Sequence, residues 1–386
     1  MSKDFKRKIR EEQPVVAICY DFDKTLSPDD MQAQGFIQSV GRGVKEFWEE
    51  SNNLAENNEM DQNLAYMFTM KKEAHGNLVF NKKSLNEYGS KVKLFPGVEN
   101  WFKRIREYGN SQGVIVEHYI ISSGLKEMIE GTCVACEFEK IYASSFYYDE
   151  RGVVLWPAQV VNYTNKTQFL FRIEKGVLDV NDPGINDFFE PENIRVPFRN
   201  MIYIGDSDTD IPCMKLVNSY SGHSIGVYDP NSKNKSKVYK MMHDNRIKYF
   251  APADYSENSE LDILVKAIID RTAYNEKLEA IHYKNKKEFI ENEESIDSEQ
   301  REKRDSIIAL ESSGSFANTH AVIANLNKYS TWTNSEKDWL IDIALNNSQV
   351  NYIINDIDLK HFYENILNSM TPLSEKAKTL KNMMEY

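Results

Sequence analysis

An apolar run that breaks at once into carboxylates constrains this chain more than any other feature. Val15-Val16-Ala17-Ile18-Cys19-Tyr20 is continuous enough for a strand buried on both faces, and it leads straight into Asp21-Phe22-Asp23-Lys24-Thr25. Three later runs repeat the pattern. Tyr119-Ile120-Ile121 ends in Ser122-Ser123-Gly124, Met201-Ile202-Tyr203-Ile204 ends in Gly205-Asp206, and Ser224-Ile225-Gly226-Val227-Tyr228 ends at Asp229-Pro230. Parallel sheets with helical crossovers place their ligand site outside the carboxyl ends of the strands. The recurrence predicts an α/β fold with a doubly wound, mainly parallel sheet and one polar site drawn from distant parts of the chain.

Between Met31 and about Leu94 no apolar strand run occurs, and Asn, Glu, Lys, Met and aromatic residues fall at helical spacing. This predicts a helical insertion after the first strand, with Phe36, Phe47, Trp48, Tyr66 and Phe68 forming its own core. Ile141 to Val161 alternate about Asp149-Glu150-Arg151-Gly152, which predicts a hairpin. Residues 275–311 are dense in Glu, Lys and Asn and predict one long exposed helix, interrupted at Gly314. Thr333 followed by Glu336 is a capping-box signature, and Leu359, Phe362, Tyr363, Ile366 and Leu367 repeat at helical spacing. The expected division is an α/β core of residues 1–30 and 95–270, a cap of 31–94 and a helical C-terminal module of 271–386.

Charge narrows the partners. Lys and Arg number 47 against 59 Asp and Glu, a net charge of −12, which argues against nucleic acid or anionic lipid and leaves room for a local basic pocket. Met1 to Gln13 lack the apolar run of a secretory signal, and about 18 consecutive apolar residues occur nowhere. Cys19, Cys133, Cys136 and Cys213 do not read as a disulfide framework, so a reduced, cytoplasmic protein is expected. Cys133 and Cys136 are expected to be buried in a helix after Ser122, and His118 and His223 lack partners at metal-ligand spacing.

Phosphoryl transfer from a monoester needs a nucleophile, neutralising charge on the phosphoryl oxygens and an acid for the leaving group. Asp21 and Asp23, two residues apart at a strand end, share one face if the extended geometry continues. Either they form a solvated strand end, or one attacks phosphorus while the other protonates the departing oxygen. Asp206 and Asp210 suit magnesium, which needs only one or two carboxylates. A calcium loop starting at Asp206 fails, because its sixth and twelfth positions hold Ile211 and Val217 instead of Gly and Glu.

Asp21-Phe22-Asp23-Lys24-Thr25, Ser122, Lys166 and Gly205-Asp206 with Asp210 occur in the order of four motifs that resemble those of the haloacid dehalogenase superfamily. The resemblance covers roughly residues 14 to 268 and is nearest the phosphoserine-phosphatase-like branch with a helical cap. It implies that Asp21 is the nucleophile forming an aspartyl-phosphate and Asp23 the general acid and base. It further implies that Ser122 bonds a phosphoryl oxygen and that Lys166 holds Asp21 and the transferring group. Magnesium would be bound by Asp21, Asp206 and the Asp23 carbonyl, with Asp210 in support directly or through water. Superfamily dehalogenases and ion pumps of this kind lack the second aspartate, so Asp23 points to a phosphatase or phosphomutase.

Several positions keep alternatives. Ser123 adjoins Ser122 and is its rival, and Lys175 rivals Lys166. Ser123, Gly124, Arg42 and Asp30 are candidate substrate contacts; Arg42 in the cap facing Asp30 would suit an amino-acid-like phosphate such as phosphoserine. The expected activity is magnesium-dependent hydrolysis of a small phosphomonoester. The alternatives are a phosphotransferase or mutase on the same core, or a scaffold that binds a protein partner, or itself, through 271–386.

Overall fold

The computed structural model describes residues 5–232, 234–292 and 298–384. Among them the strands are β1 (Val15–Tyr20), β2 (Ile115–Leu125), β3 (Lys140–Tyr148), β4 (Val154–Gln159), β5 (Met201–Gly205), β6 (His223–Tyr228) and β7 (Tyr249–Pro252). They form one sheet in the order β4-β3-β2-β1-β5-β6-β7. Every neighbouring pair is parallel except β3 and β4, which are antiparallel. The fold is α/β with a mainly parallel sheet, as the apolar runs predict.

Alternation along the central strands builds two interiors. β1 sends Val16, Ile18 and Tyr20 into one apolar cluster and Val15, Ala17 and Cys19 into another. β5 divides likewise, with Ile202 and Ile204 on one face and Met201 and Tyr203 on the other. Helix Val98–Ser111 covers the first face with Trp101, Phe102 and Ile105; helices Thr167–Lys175 and Ile211–Ser219 cover the second with Phe169, Ile173, Met214 and Val217. Each fully buried apolar side chain contributes roughly 1.5–3 kcal/mol. Two covered faces are why these strands read as unbroken apolar runs.

The insertion after β1 is helical, with Phe36–Ser39, Val44–Asn57, Gln62–Ala74 and Lys82–Gly89. Asp61 caps the third by accepting from the N–H groups of Asn63 and Leu64, and Asn81 with Ser84 forms a capping box on the fourth. Phe36, Phe47, Tyr66, Met67 and Leu85 join the same cluster as the sheet, so the insertion shares the core's interior. Phe68 departs from the expectation: it is exposed and lines an apolar groove with Trp156. The hairpin of β3 and β4 turns at Asp149, whose N–H reaches the Val153 carbonyl at 2.9 Å, and Gly152 supplies the left-handed φ of 77°.

One other expectation fails locally. Cys133 and Cys136 are exposed, because helix Lys126–Gly131 stops before them; the Gly131 backbone packs so tightly on Asn86 that a Cβ would lie 2.1 Å from its carbonyl oxygen. β7 gave no signal, since only Ala251 of its four residues is buried.

By internal contacts the chain divides into Met1–Val180 with Arg195–Glu276, and Asn181–Ile194 with Lys277–Tyr386. Helix Glu260–Asn292 begins earlier than composition indicates, because Leu261, Val265, Ile268 and Ile269 form a buried stripe at helical spacing. A further helix spans Ser298–Glu311, and residues 293–297 of the expected long helix lie outside the described residues. The second unit is helical, around Leu310, Val322, Leu340, Leu359, Phe362 and Leu380. Its Thr333 capping box forms as the spacing predicts, with the Glu336 N–H donating to Thr333 Oγ1 at 3.3 Å. No described helix is long and apolar enough to cross a membrane.

Candidate active site

The carboxyl ends of β1, β2 and β5 bring Asp21, Ser122 and Asp206 to one edge of the sheet. The Asp21 N–H bonds the Ile204 carbonyl at 3.0 Å, which ties the end of β1 to β5. The Phe22 N–H donates to Asp21 Oδ1 at 2.8 Å and fixes the carboxylate's orientation. Lys166, fully buried just before helix Thr167–Lys175, places its ammonium 3.4 Å from Asp21 Oδ2 and 2.7 Å from Asp210 Oδ1. Tyr203 donates to the same Asp210 oxygen at 2.8 Å, and Ser207 donates to Oδ2 through its N–H at 3.2 Å and its hydroxyl at 3.1 Å. Both oxygens of Asp210 are therefore occupied by protein donors.

One carboxylate oxygen each from Asp21, Asp206 and Asp210 lie within 4.8 Å of one another. Three carboxylates face one buried ammonium, and the imbalance weakens the acidity of Asp21 and Asp206. Burial, then the charge of Asp210, lift the Asp21 carboxyl to about 7 against the opposing pull of Lys166. Burial lifts Asp206 to about 6, although Lys237 at 3.2 Å pulls the other way. Burial alone would lower the Lys166 ammonium, yet Asp21 and Asp210 hold it above the usual lysine range. A hard cation fits this donor set: the ligand atoms are oxygens, and the surplus negative charge disfavours ionisation until a cation balances it.

Asp23 is half-buried beside this cluster, and its Oδ1 accepts the Met31 N–H at 2.8 Å. Burial first, then Asp30 and Asp21, push its carboxyl well above the usual range. β2 approaches closely here, for a Cβ on Gly124 would lie 2.8 Å from Asp23 Oδ2. Ser122 is buried; its Oγ accepts the Gly124 N–H at 3.1 Å, and its hydroxyl helps hold Asp21 ionised. Ser123 offers instead its carbonyl, which accepts from Tyr66 at 2.8 Å and Ser144 at 3.1 Å. Its own hydroxyl is buried without a partner.

The other expected residues lie apart or are otherwise engaged. Asp30 receives the Lys24 ammonium on both oxygens at 2.9 Å. Arg42 is bonded to Glu50 and lies 3.7 Å from Glu73, so the insertion's own carboxylates already hold its charge. Lys175 stands at the far end of its helix from Lys166. Tyr203, Ser207, Tyr66 and Lys237 gave no sequence signal as site residues. Tyr203 sits inside an apolar strand run, and Lys237 lies 31 residues from the carboxylate it meets.

The profile of the haloacid dehalogenase-like hydrolases matches residues 18–215, just over half of the 386-residue chain. The chain belongs to this family. As a haloacid dehalogenase-like hydrolase it is 28% identical over 284 residues to a protein of Borreliella burgdorferi named only "uncharacterized protein", covering 66% of this chain and 96% of that one. Among solved structures it is similar to a family hydrolase of Salmonella enterica serovar Typhi, at 15% identity and TM-score 0.44, over 67% of this chain and 72% of that one. A probable phosphoserine phosphatase from Vibrio cholerae is similar at 12% identity and TM-score 0.43, over 68% and 67%.

Proposed function

We propose that this haloacid dehalogenase-like hydrolase cleaves a small phosphomonoester through an aspartyl-phosphate on Asp21. One observation carries the reading. The Asp21 carboxylate, oriented by a backbone N–H, has the Lys166 ammonium 3.4 Å from one oxygen and the carboxylates of Asp206 and Asp210 within 4.8 Å. This supports the reading, because a carboxylate beside both an ammonium and cation-binding carboxylates suits attack on phosphorus.

The residues divide the work. Asp21 attacks phosphorus, and the ester oxygen departs. Asp23, whose carboxyl burial holds above the usual range and so keeps protonated, gives that oxygen its proton; as the carboxylate it then takes one from the water that cleaves the aspartyl-phosphate. Ser122 and Lys166 bond the phosphoryl oxygens. Asp21, Asp206 and the Asp23 carbonyl would hold magnesium, which would supply charge neutralisation there. Asp210, which accepts from Lys166, Tyr203 and Ser207, fixes Lys166 and would support the ion directly or through water. Asp30 and Gly124 remain candidate substrate contacts beside Asp23.

The test is phosphate release from phosphoserine, sugar phosphates and nucleotides with magnesium, with EDTA, and in the Asp21→Asn variant. Release that requires magnesium and disappears in Asp21→Asn supports the reading. A folded parent chain that releases phosphate from none of them overturns it.

A further inference from the structure

A pocket of about 220 Å³ opens beside Asp206, and three lysines against two aspartates, Asp206 and Asp229, line it in a chain whose net charge is −12. Lys24 enters from the loop after β1, while Lys235 and Lys237 enter at the start of helix Ser236–His243. Asp206 belongs both to this pocket and to the carboxylate cluster. A group held there is therefore within the length of a small metabolite from Asp21.

The three ammonium groups are open to a ligand. Lys24 and Lys237 are 48% and 51% exposed, and each is paired with a carboxylate, Asp30 and Asp206. Water screens the exposed lysine end of each pair, so an anion can compete for both. The Lys235 ammonium lies over the Tyr228 ring, 4.8 Å from its centroid, and no carboxylate among the described residues is bonded to it. Lys24 also holds a left-handed backbone, φ 58°, which glycine would adopt without cost, so an ammonium stands where the chain pays strain to keep a side chain. Ammonium groups on flexible stems suit phosphate and carboxylate as point charges.

We propose that this pocket receives a second, unreacting anionic group, so that the substrate is a phosphomonoester carrying another phosphate or a carboxylate. The proposal rests on the hydrolase reading above and narrows its substrate class. The transferred phosphoryl group sits at Asp21, Ser122 and Lys166, and the second anion lies beyond Asp206 against Lys24, Lys235 and Lys237.

The experiment measures binding in the Asp21→Asn variant, which separates recognition from turnover. Glycerol 3-phosphate, 3-phosphoglycerate and 2,3-bisphosphoglycerate are titrated calorimetrically with magnesium present, in backgrounds carrying Lys235 and Lys235→Ala. The second anion should tighten binding at least tenfold over glycerol 3-phosphate, and Lys235→Ala should cut that ratio at least fivefold. Which of the two larger ligands gains more tells a carboxylate site from a phosphate site. Equal affinity for all three, a ratio unmoved by Lys235→Ala, or binding of none of them overturns the proposal. Phosphate release by the parent chain from the same compounds is scored separately. Selective binding without release sinks the hydrolase reading and leaves the subsite standing.

Discussion

Lys166 and Asp210 meet as a fully buried ion pair, Nζ to Oδ1 at 2.7 Å, although 44 residues separate them. The same ammonium balances Asp21, so removing it strands two buried carboxylates. Breaking a buried pair by deleting one partner costs roughly 3–5 kcal/mol. Lys166→Met should therefore lower stability by about that amount in urea titration. Its phosphate release should fall at least a hundredfold even below its melting range. A variant of parental stability would mean that the pair contributes nothing to the fold.

A cation that binds the cluster of the folded chain and not the unfolded one stabilises by mass action. Saturating magnesium should raise the melting temperature of the parent chain by a few degrees, and EDTA should reverse the rise. Asp206→Asn should abolish the response, because one of three converging oxygens is then neutral. An equal rise in both proteins would place the ion elsewhere.

Acid should destabilise the core through His118. Trp101 donates to the Tyr20 hydroxyl at 2.7 Å, Tyr20 lies 3.0 Å from His118 Nδ1, and His118 Nε2 lies 3.2 Å from the Phe102 carbonyl. A carbonyl can only accept, so Nε2 carries the proton and Nδ1 accepts from Tyr20. Burial holds the folded pKa at about 3 against 6.5 in the unfolded chain. Between those values the unfolded state binds the extra proton, so stability is full above pH 6.5 and falls toward pH 3. The slope is at most about 1.4 kcal/mol per pH unit. Urea midpoints for the parent and His118→Gln should converge on acidification; parallel curves would exclude His118 as the source.

Tyr66→Phe removes the bond from the insertion to the Ser123 carbonyl, a contact 57 residues long in sequence. A bond of this kind contributes about 1 kcal/mol. The variant should lose about that stability and several-fold in kcat, since the carbonyl directly follows Ser122 on β2. An unchanged kcat would show that this contact does not position Ser122.

Much of this was legible before any coordinates. The strands announced themselves because both faces of the sheet are covered, and the polar breaks after β1, β2 and β5 marked the edge where Asp21, Ser122 and Asp206 converge. Motif order alone separates Lys166 from Lys175 in the sequence; the two carboxylate contacts of Lys166 give the physical reason. What stayed hidden were partnerships made by packing. Tyr203 reads as one more apolar strand residue until its hydroxyl is seen on Asp210. Arg42 reads as a free cation until Glu50 and Glu73 are seen around it. Burial of Cys133 and Cys136 was misjudged because periodicity says where a helix runs, not where a neighbouring backbone stops it.

The alternation along β1 also restricts how this chain can vary over generations. Tyr20 and Cys19 belong to different interiors, and Asp21 follows within one step. A single residue gained or lost inside Val15–Tyr20 would exchange the two interiors and swing Asp21 to the wrong side. Length can drift at the Asp149–Gly152 turn, where no second interior depends on the count. Lineages of this enzyme should therefore differ in loop and insertion lengths, while the six residues of β1 and their spacing to Asp21 stay constant.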